Sequence, residues 1–258
     1  MQLSSVAQRS PLVDRSVIAL LLFSFVFLSS SSHASEPPKH ISQYGHTAWR
    51  LEDGYFQSSP QTIAQTGDGY LWFGTPTGTL RFDGVRFTKL IVPNDKTLSN
   101  NTVSLLGASD GSLWLGTGHG LARSYKGTIS VYPKISGRID GMIEDHNHRI
   151  WVAQARVIDQ GALCEVTRDS AICHGSSEGI ASRYAVALTE ATDHSLWIAH
   201  SDTLSHWTGS RATTIHIAAL DHLRGLSGLR VTLANDDGSV WIGMSTIGPG
   251  LGDRKSVV

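Results

Sequence analysis

The sequence has little charge and no excess of either sign. Charged residues make up 17% of its 258 residues, and 21 Lys and Arg against 22 Asp and Glu give a formal net charge of −1. Without a basic excess the chain has few groups to neutralise phosphates, so we expect no nucleic-acid partner. Hydrophobic residues reach 40% of the chain, a share that argues against general disorder.

The N-terminal region lacks an apolar run of the ~20 residues that a membrane-spanning helix needs. Its apolar run covers 17–28, only 12 residues, and follows Arg9 and Arg15. A run of this length after basic residues is typical of a signal-peptide core. We therefore expect the chain to be exported, with the periplasm as its location.

The residues after this run predict where the signal peptide ends. Ser32 and Ala34 are small residues at positions −3 and −1 of an Ala-x-Ala-like site, so we expect 1–34 to be a signal peptide cleaved after Ala34. An uncleaved anchor is the alternative. Residues 35–43 contain two consecutive prolines and predict a linker ahead of the fold.

Cysteine is scarce, with only Cys164 and Cys173. Export places them in an oxidising compartment, where they can form a disulfide. If Arg168 and Asp169 form a two-residue turn, Cys164 faces Cys173 at a non-hydrogen-bonded site, where Cα atoms are about 4.5 Å apart. That spacing allows a disulfide as a local staple. Two unpaired small hydrophobic residues are the alternative.

Methionine is also rare, with 3 residues, whereas the sequence has 26 Gly and 7 Trp. This profile favours many short strands joined by tight turns over a helical bundle. Five of the tryptophans share one local pattern, Asp-Gly-x-Leu-Trp-aliphatic-Gly-Thr or a variant of it, and follow one another at steps of 42, 37, 46 and 44 residues. The Asp or Asn and the Trp of each repeat are Asp68 and Trp72, Asp110 and Trp114, Asn147 and Trp151, Asp193 and Trp197, and Asp237 and Trp241.

Each position of the repeat has a structural interpretation. The Asp or Asn four residues before the Trp, usually followed by Gly, predicts a tight turn. The neighbours of the Trp are apolar and share one face of a strand, while the Trp and a small residue two positions later share the other. Both faces are therefore covered, and the small residue lets a neighbouring sheet approach closely. An apolar residue nine before the Trp in four of the five repeats predicts another strand ahead of the turn.

A hairpin follows the Trp strand. In the first repeat Asp83-Gly84 between alternating apolar residues predicts a two-residue turn that pairs Phe82 with Val85. In the second repeat the predicted turn is Lys126-Gly127. Each unit then holds about four antiparallel strands in about 42 residues, which is typical of a β-propeller blade. An open β-solenoid is the competing architecture.

The fold class predicted from this repeat is all-β, a β-propeller of four-stranded antiparallel blades over 44–252. About four and a half blades are present, fewer than the whole blades with which a propeller closes, so we expect a fragment of a longer protein. Residues 253–258 have no counterpart in the repeat and are expected to be a non-native tail.

The motif Asp-Gly-x-Leu-Trp-aliphatic-Gly-Thr, followed by Gly-x-x-Arg-Phe-Asp-Gly-x-x-Phe, resembles the two-component regulator propeller repeat. The stretch from His46 to Gly54 is also similar to the usual N-terminus of that family. The resemblance is strongest at 44–90 and 110–123 and weakens at 147–175, where His148 replaces Gly and the Phe-Asp-Gly hairpin is lost.

This resemblance implies an exported ligand-sensing ectodomain of a bacterial two-component signal transduction protein. The parent would be a homodimeric histidine kinase or diguanylate cyclase, anchored in the inner membrane through a part beyond this chain. The ligand would be a small molecule or oligosaccharide at the propeller mouth. The chain itself would not be an enzyme and would need no cofactor.

Loops at one end of the blades would line that mouth. The candidate ligand-binding residues are Thr75, Thr77, Thr117 and His119. Two other functions remain open. One is an exported propeller enzyme of the lyase or glycosidase type, because the repeat also resembles that of streptogramin lyases; a clustered His/Glu set with a bound metal at the central channel would favour it. The other is a scaffold for envelope proteins, which a broad exposed apolar patch would favour.

The sequence shows no established catalytic or metal motif. It has no Gly-x-Ser-x-Gly elbow and no evident triad, so we predict no catalytic residue. A calcium loop is not completed at Asp236 and Asp237. His146 and His148 lack a third ligand at a recognisable spacing, and we therefore predict no metal site.

Overall fold

The computed structural model describes residues 45–92, 100–155, 161–167, 170–180, 184–200, 203–216, 226–234, 237–246 and 256–257. The predicted signal peptide, its cleavage after Ala34 and the predicted linker 35–43 lie outside these residues. Contacts divide the chain into two units, Met1–Ala48 and Trp49–Val258. The strands of the described residues lie in the second unit.

The described chain forms five antiparallel sheets, numbered here in chain order. Sheet 1 contains β1 (Thr62–Gln65), β2 (Leu71–Thr75), β3 (Gly78–Phe82) and β4 (Phe87–Lys89). Sheet 2 contains β5 (Thr102–Gly107), β6 (Leu113–Thr117), β7 (Gly120–Tyr125) and β8 (Thr128–Val131). Sheet 3 contains β9 (Arg138–Glu144), β10 (Ile150–Ala155), β11 (Leu163–Val166) and β12 (Ala171–His174). Sheet 4 contains β13 (Ala187–Glu190), β14 (Leu196–Ala199), β15 (Thr203–Trp207) and β16 (Ala212–His216). Sheet 5 contains β17 (Leu226–Ala234), β18 (Val240–Thr246) and β19 (Ser256–Val257).

The sheets follow one another as the blades of a propeller do. Within each sheet the strands pair in chain order, and the first strand of each sheet contacts the first strand of the next one, from β1 through β5, β9 and β13 to β17. Four sheets have four strands and the fifth has three. The prediction of an all-β, incomplete propeller is confirmed. Among the described residues there is no α-helix, only the short 3-10 turns Leu51–Asp53 and Ser176–Glu178.

The five repeat tryptophans occupy equivalent positions in the second strand of each sheet. On the first strand each faces the residue eight positions before it, as Trp72 faces Ala64 and Trp151 faces Ile143. The side chains of Trp72, Trp114 and Trp151 are buried, while Trp241 in the last sheet is 38% exposed. The three-dimensional repeat is therefore the one that the sequence repeat predicts.

The turn between the first two strands is the same in the first four sheets. In sheet 1 the Gly69 N–H donates to the Thr66 carbonyl at 2.8 Å, and the Thr66 N–H donates to the Tyr70 carbonyl at 3.1 Å. The residue three before the Trp has a left-handed φ, from 88° at Gly69 to 60° at His148 and 67° at His194. Glycine adopts that conformation without strain, and the two histidines show that sheets 3 and 4 keep the turn without it.

The outer hairpin of sheet 1 has a different register from the one predicted. Phe82 pairs with Phe87, and Leu80 pairs with Lys89, so the prediction that Phe82 faces Val85 is wrong. The Asp83 carboxylate accepts backbone N–H groups from Val85 at 2.9 Å and from Arg86 at 2.7 Å. The four residues between Phe82 and Phe87 therefore form the loop, and the Asp83 side chain accepts two of its backbone N–H groups. In sheet 2 the predicted Lys126-Gly127 turn joins Tyr125 to Thr128.

The cysteine hairpin has the register expected from its sequence. Cys164 faces Cys173 and Val166 faces Ala171. A disulfide joins the two cysteines, whose Cα atoms are 4.0 Å apart. The bond lies in sheet 3, in the repeat that departs most from the sequence pattern.

At the C-terminus, Ser256–Val257 pairs with β18, with Val257 opposite Ile242. The expectation that 253–258 is a non-native tail stays a prediction. Within the described residues no helix is both long and apolar enough to cross a membrane.

Candidate functional site

Turns at the two opposite ends of the strands could form a binding site. The turns between the first and second strands carry the repeat Asp or Asn, and we call this end of the strands the Asp-turn edge. The turns between the second and third strands, as described in sheets 1 and 2, lie at the opposite end, which we call the Thr-turn edge. Thr75 and Thr77 belong to the Thr-turn edge of sheet 1, and Thr117 and His119 to that of sheet 2.

Thr75 and Thr117 are equivalent residues that hold their own turns together. The Thr75 hydroxyl donates to the Gly78 carbonyl at 2.8 Å, and the Thr117 hydroxyl donates to the Gly120 carbonyl at 3.0 Å. Both side chains are buried. Their hydroxyls are engaged within the turn, which leaves exposed neighbours such as Thr77 to face a ligand.

A cleft of about 220 Å³ opens beside the first of these turns. We call it the Tyr55 cleft. Its lining comes from the segment before β1 and from the turn and outer hairpin of sheet 1: Gly54, Tyr55, Gln57, Thr75, Thr77, Gly78, Leu80, Phe87 and Lys89. The structure thus brings two of the four predicted ligand residues, Thr75 and Thr77, into one concave site.

The residues before β1 fold so that an aromatic ring reaches this cleft. The Asp53 carboxylate accepts the Arg50 backbone N–H at 2.7 Å and closes the turn Leu51–Asp53. Gly54 then ends the turn with a φ of 79°, a value that favours glycine. The chain direction after Gly54 places the Tyr55 ring 5.5 Å from the Phe87 ring.

The Tyr55 cleft combines an aromatic surface with hydrogen-bonding groups. Tyr55 is 47% exposed, so its ring is available to a ligand. The Thr77 hydroxyl lies 3.2 Å from that of Ser58. Among the described residues that line the cleft, Lys89 alone carries a charge. Such a lining suits a neutral or weakly anionic ligand rich in hydroxyl groups.

Thr117 and His119 are absent from the described lining of this cleft. Their turn is tied elsewhere, since the Gly118 N–H donates to the Asn101 carbonyl at 3.0 Å and the Gly120 N–H donates to the Gly137 carbonyl at 2.9 Å. His119 is exposed on the same edge. The proposed grouping of all four residues in one mouth therefore stays a prediction.

The Asp-turn edge carries interactions that the sequence repeat does not reveal. Glu144, seven residues before Trp151, accepts the backbone N–H of Ser109 from the preceding sheet at 2.7 Å. Glu190, seven residues before Trp197, likewise accepts the backbone N–H of His146 at 3.0 Å. Two successive sheets are thus joined to their predecessors by an equivalent glutamate. A wide depression of about 560 Å³ includes Ser109 and Glu144.

Three side chains on this edge could ligate a metal ion, namely His146, Glu190 and His194. One ligand atom from each lies within 4.8 Å of the others. No spacing in the sequence links His146 to Glu190, because 44 residues separate them. Glu144 and Glu190 both lie seven residues before a repeat Trp. This shared position is the one sequence signal that both could contact the Asp-turn of the preceding sheet.

Asp145 is the buried acid of this edge. Its carboxylate accepts the Trp151 indole N–H at 2.8 Å and the Arg149 guanidinium at 2.7 Å. Burial raises the pKa of Asp145, but hydrogen bonds from Trp151 and Arg149 and the Arg149 charge outweigh it and hold the pKa below its usual value. Asp145 is therefore a charged anchor of the sheet 3 turn.

No family model matches the chain, and no curated protein sequence matches it. Solved structures do match. The extracellular domain described as that of a hybrid two-component system (BT3049) from B. thetaiotaomicron has 19% identity and a TM-score of 0.63, covering 81% of this chain and 31% of that domain.

Two further neighbours have the same architecture. The extracellular domain of a second hybrid two-component system (BT4673) from B. thetaiotaomicron has 17% identity and a TM-score of 0.58, covering 78% of this chain and 31% of its own length. Virginiamycin B lyase from Staphylococcus aureus also has 17% identity and a TM-score of 0.58, covering 78% of this chain and 70% of the enzyme.

The fold and these neighbours place the chain in the structural class of β-propellers. Its neighbours include extracellular domains of two-component systems, and the sequence repeat resembles the two-component regulator propeller. The chain spans about a third of those two ectodomains, 31% in each case.

Proposed function

We propose that this chain is part of an exported ligand-sensing ectodomain and that it binds a small molecule or oligosaccharide at the Thr-turn edge. The observation that carries this proposal is the Tyr55 cleft, where the exposed Tyr55 ring lies beside Gln57, Thr77 and Lys89. Aromatic faces accompanied by a few polar groups are typical of small-molecule sites. The likeness to two-component ectodomains supports a sensing role.

The signalling output would belong to a part of the protein beyond this chain. A ligand that binds one arrangement of the ectodomain more tightly shifts the population toward that arrangement. We propose that an attached histidine kinase or diguanylate cyclase dimer responds to this shift. The ectodomain would then act on the periplasmic side of the inner membrane.

Thermal unfolding of the chain with a panel of oligosaccharides tests the cleft. A ligand at about 100 times its Kd stabilises the folded state by about 2.7 kcal/mol, which for a chain of this size raises Tm by about 5–10 °C. We expect one class of glycan to produce this shift. Replacing Tyr55 by Ala should remove it, because the ligand loses its aromatic contact surface.

Tyr184→Ala is the matched control. Tyr184 is exposed to a similar extent, 45% against 47% for Tyr55, but does not line the cleft. It should leave the ligand-induced shift unchanged. If no glycan or small polyol raises Tm, or if Tyr184→Ala weakens the shift as much as Tyr55→Ala, the Tyr55 cleft is not the sensor site.

A second candidate function is a lyase. The likeness to virginiamycin B lyase covers 78% of this chain and 70% of that enzyme, and a structure of a catalytically inactive variant of the enzyme holds quinupristin. Incubation of the chain with quinupristin, followed by mass spectrometry, distinguishes the two functions. Turnover would favour the lyase, and glycan binding without turnover would favour the sensor.

A further inference from the structure

We propose that His146, Glu190 and His194 form a site for one divalent transition-metal ion at the boundary between sheets 3 and 4. His146 lies in the Asp-turn of sheet 3, Glu190 is the last residue before the corresponding turn of sheet 4, and His194 lies within that turn. Two imidazoles and one carboxylate are a known ligand set for Zn²⁺, with a fourth position left to water. The inference does not depend on ligand binding in the Tyr55 cleft.

The donor atoms already converge on one point. Oε1 of Glu190 lies 2.5 Å from Nδ1 of His146 and 3.5 Å from Nδ1 of His194. A tetrahedral ion with bonds of about 2.0–2.2 Å holds its ligand atoms roughly 3.3–3.6 Å apart. All three donor atoms lie within 4.8 Å of one another. To admit the ion, the Glu190 and His146 donor atoms must move apart to about 3.3 Å, and the stacked rings of His146 and His194 must rotate so that both nitrogens face the ion.

A backbone hydrogen bond orients Glu190 toward the two imidazole rings. The second carboxylate oxygen of Glu190 accepts the His146 backbone N–H at 3.0 Å, which leaves Oε1 directed at the two rings. His194 occupies a left-handed conformation with φ 67°, where the other sheets, apart from sheet 3, have glycine. Its ring stacks on that of His146 with centroids 3.6 Å apart.

The solvent exposure of the three side chains and the neighbouring Asn147 are also compatible with a bound metal ion. The side chains of His146 and His194 are 36% and 57% exposed, while that of Glu190 is 19% exposed. An ion can therefore enter from solvent. The amide nitrogen of Asn147 lies 2.7 Å from Nε2 of His146. A half-turn of this carboxamide would bring its oxygen to the Nε2–H of a ring that binds metal through Nδ1, the arrangement that outer partners of metal-bound histidines adopt.

The preceding sheet boundary contains a natural control. There Glu144 accepts the Ser109 backbone N–H at 2.7 Å and lies 3.1 Å from Nδ1 of His148. Glu144 and His148 stand where Glu190 and His194 stand in sheet 4, but Ser109 replaces the first histidine. A serine hydroxyl is a poor ligand for Zn²⁺ compared with imidazole. We therefore assign the metal to only one of these two boundaries.

Binding of Zn²⁺ to the full chain, after treatment with a chelator, tests the site by titration calorimetry. We expect one equivalent to bind, and Co²⁺ to show the intense visible absorption of a tetrahedral site. His194→Gly should weaken Zn²⁺ binding at least tenfold. That variant restores the glycine of the other turns and relieves a left-handed residue, so loss of binding would not come from misfolding.

His148→Gly is the matched control, because it makes the same exchange at the same turn position in sheet 3. It should bind Zn²⁺ as the unaltered chain does. Ser109→His should raise the stoichiometry from one ion to two by completing the equivalent set with Glu144 and His148. Equal Zn²⁺ affinity in the unaltered chain and His194→Gly would overturn the proposal, as would equal losses in His194→Gly and His148→Gly.

Discussion

At the scale of single residues, the position six before the Trp decides how the indole is anchored in sheets 1 to 3. In sheet 1 it is Thr66, whose hydroxyl accepts the Trp72 indole N–H at 2.9 Å, and in sheet 3 it is Asp145. In sheet 2 the position is Ala108, and the buried indole N–H of Trp114 has no acceptor among the described residues. One turn position therefore determines whether a buried indole is satisfied.

Asp145→Asn should destabilise the chain by about 2–3 kcal/mol, because bonds to a charged group contribute more than neutral ones and the new amide would direct a donor toward Trp151 or Arg149. Urea unfolding at neutral pH measures this. Asp193→Asn is the control: Asp193 closes the equivalent turn of sheet 4 through Ser195, but it is exposed, so the loss should be much smaller.

The stability lost in Asp145→Asn should become smaller at acidic pH. The folded pKa of Asp145 lies below the ordinary value of 3.8, so its stabilising contribution is complete above about pH 3.8. The contribution is lost as the pH falls through the folded pKa. The gap in unfolding free energy between the unaltered chain and Asp145→Asn should therefore narrow only below about pH 3.8. A gap that already closes at pH 6 would contradict this assignment.

At the scale of elements, the β11–β12 hairpin shows how sheet 3 keeps its shape without the Phe-Asp-Gly hairpin of sheet 1. The disulfide between Cys164 and Cys173 crosses the pair of strands. Cys164 is fully buried, and the hairpin packs into the cluster that includes Ile150, Val152 and Val166. The disulfide thus links the two outer strands of sheet 3, which lacks the Phe-Asp-Gly sequence at this hairpin.

Replacing both cysteines by Ala should lower the unfolding free energy by about 2–3 kcal/mol, since a short closed loop no longer restricts the unfolded chain. Differential scanning calorimetry of the oxidised chain measures the loss. A reducing agent should lower Tm of the unaltered chain and leave the double variant unchanged, because the described residues contain no free cysteine. An equal effect of reductant on both proteins would argue against the disulfide.

At the scale of the whole molecule, the small residue two positions after each repeat Trp sets how closely the sheets approach. A Cβ added to Gly116 would lie 2.2 Å from the Ser104 hydroxyl and 2.7 Å from Cγ2 of Ile139 in the next sheet. In sheet 3 the equivalent residue is Ala153, and it faces Gly141 on β9. In sheet 2 the pair on the first two strands is Ser104 and Gly116, and in sheet 3 it is Gly141 and Ala153. The residue on the first strand is thus smaller in sheet 3, where the residue two positions after the Trp is larger.

Gly116→Ala should therefore cost about 1–3 kcal/mol through overpacking between sheets 2 and 3. Equilibrium unfolding in urea measures it. Gly67→Ala provides the comparison, because a Cβ there meets nothing within 4 Å, and its stability should be unchanged or slightly higher. If Gly116→Ala were as stable as Gly67→Ala, the sheets would not be held at this spacing.

The sequence alone determined the blades, their order and most of their turns. Alternation of apolar residues and the Asp-Gly turns are local signals, and so is the Cys164–Cys173 register. The tryptophans recur at steps of 37 to 46 residues, but each one is recognised from its own turn and strand. The outer hairpin of sheet 1 was the exception, because the Asp83 side chain caps a longer loop than Asp-Gly alone predicts.

Only the tertiary structure decided which residues distant in the sequence lie close together. Glu190 reaches His146 across 44 residues of chain, and the Tyr55 cleft joins the segment before β1 to the outer hairpin of sheet 1. Thr75 and Thr77 entered that cleft, whereas Thr117 and His119 did not. Sequence patterns describe one strand or turn at a time, and the distance between residues of different sheets is fixed only when the sheets pack against one another.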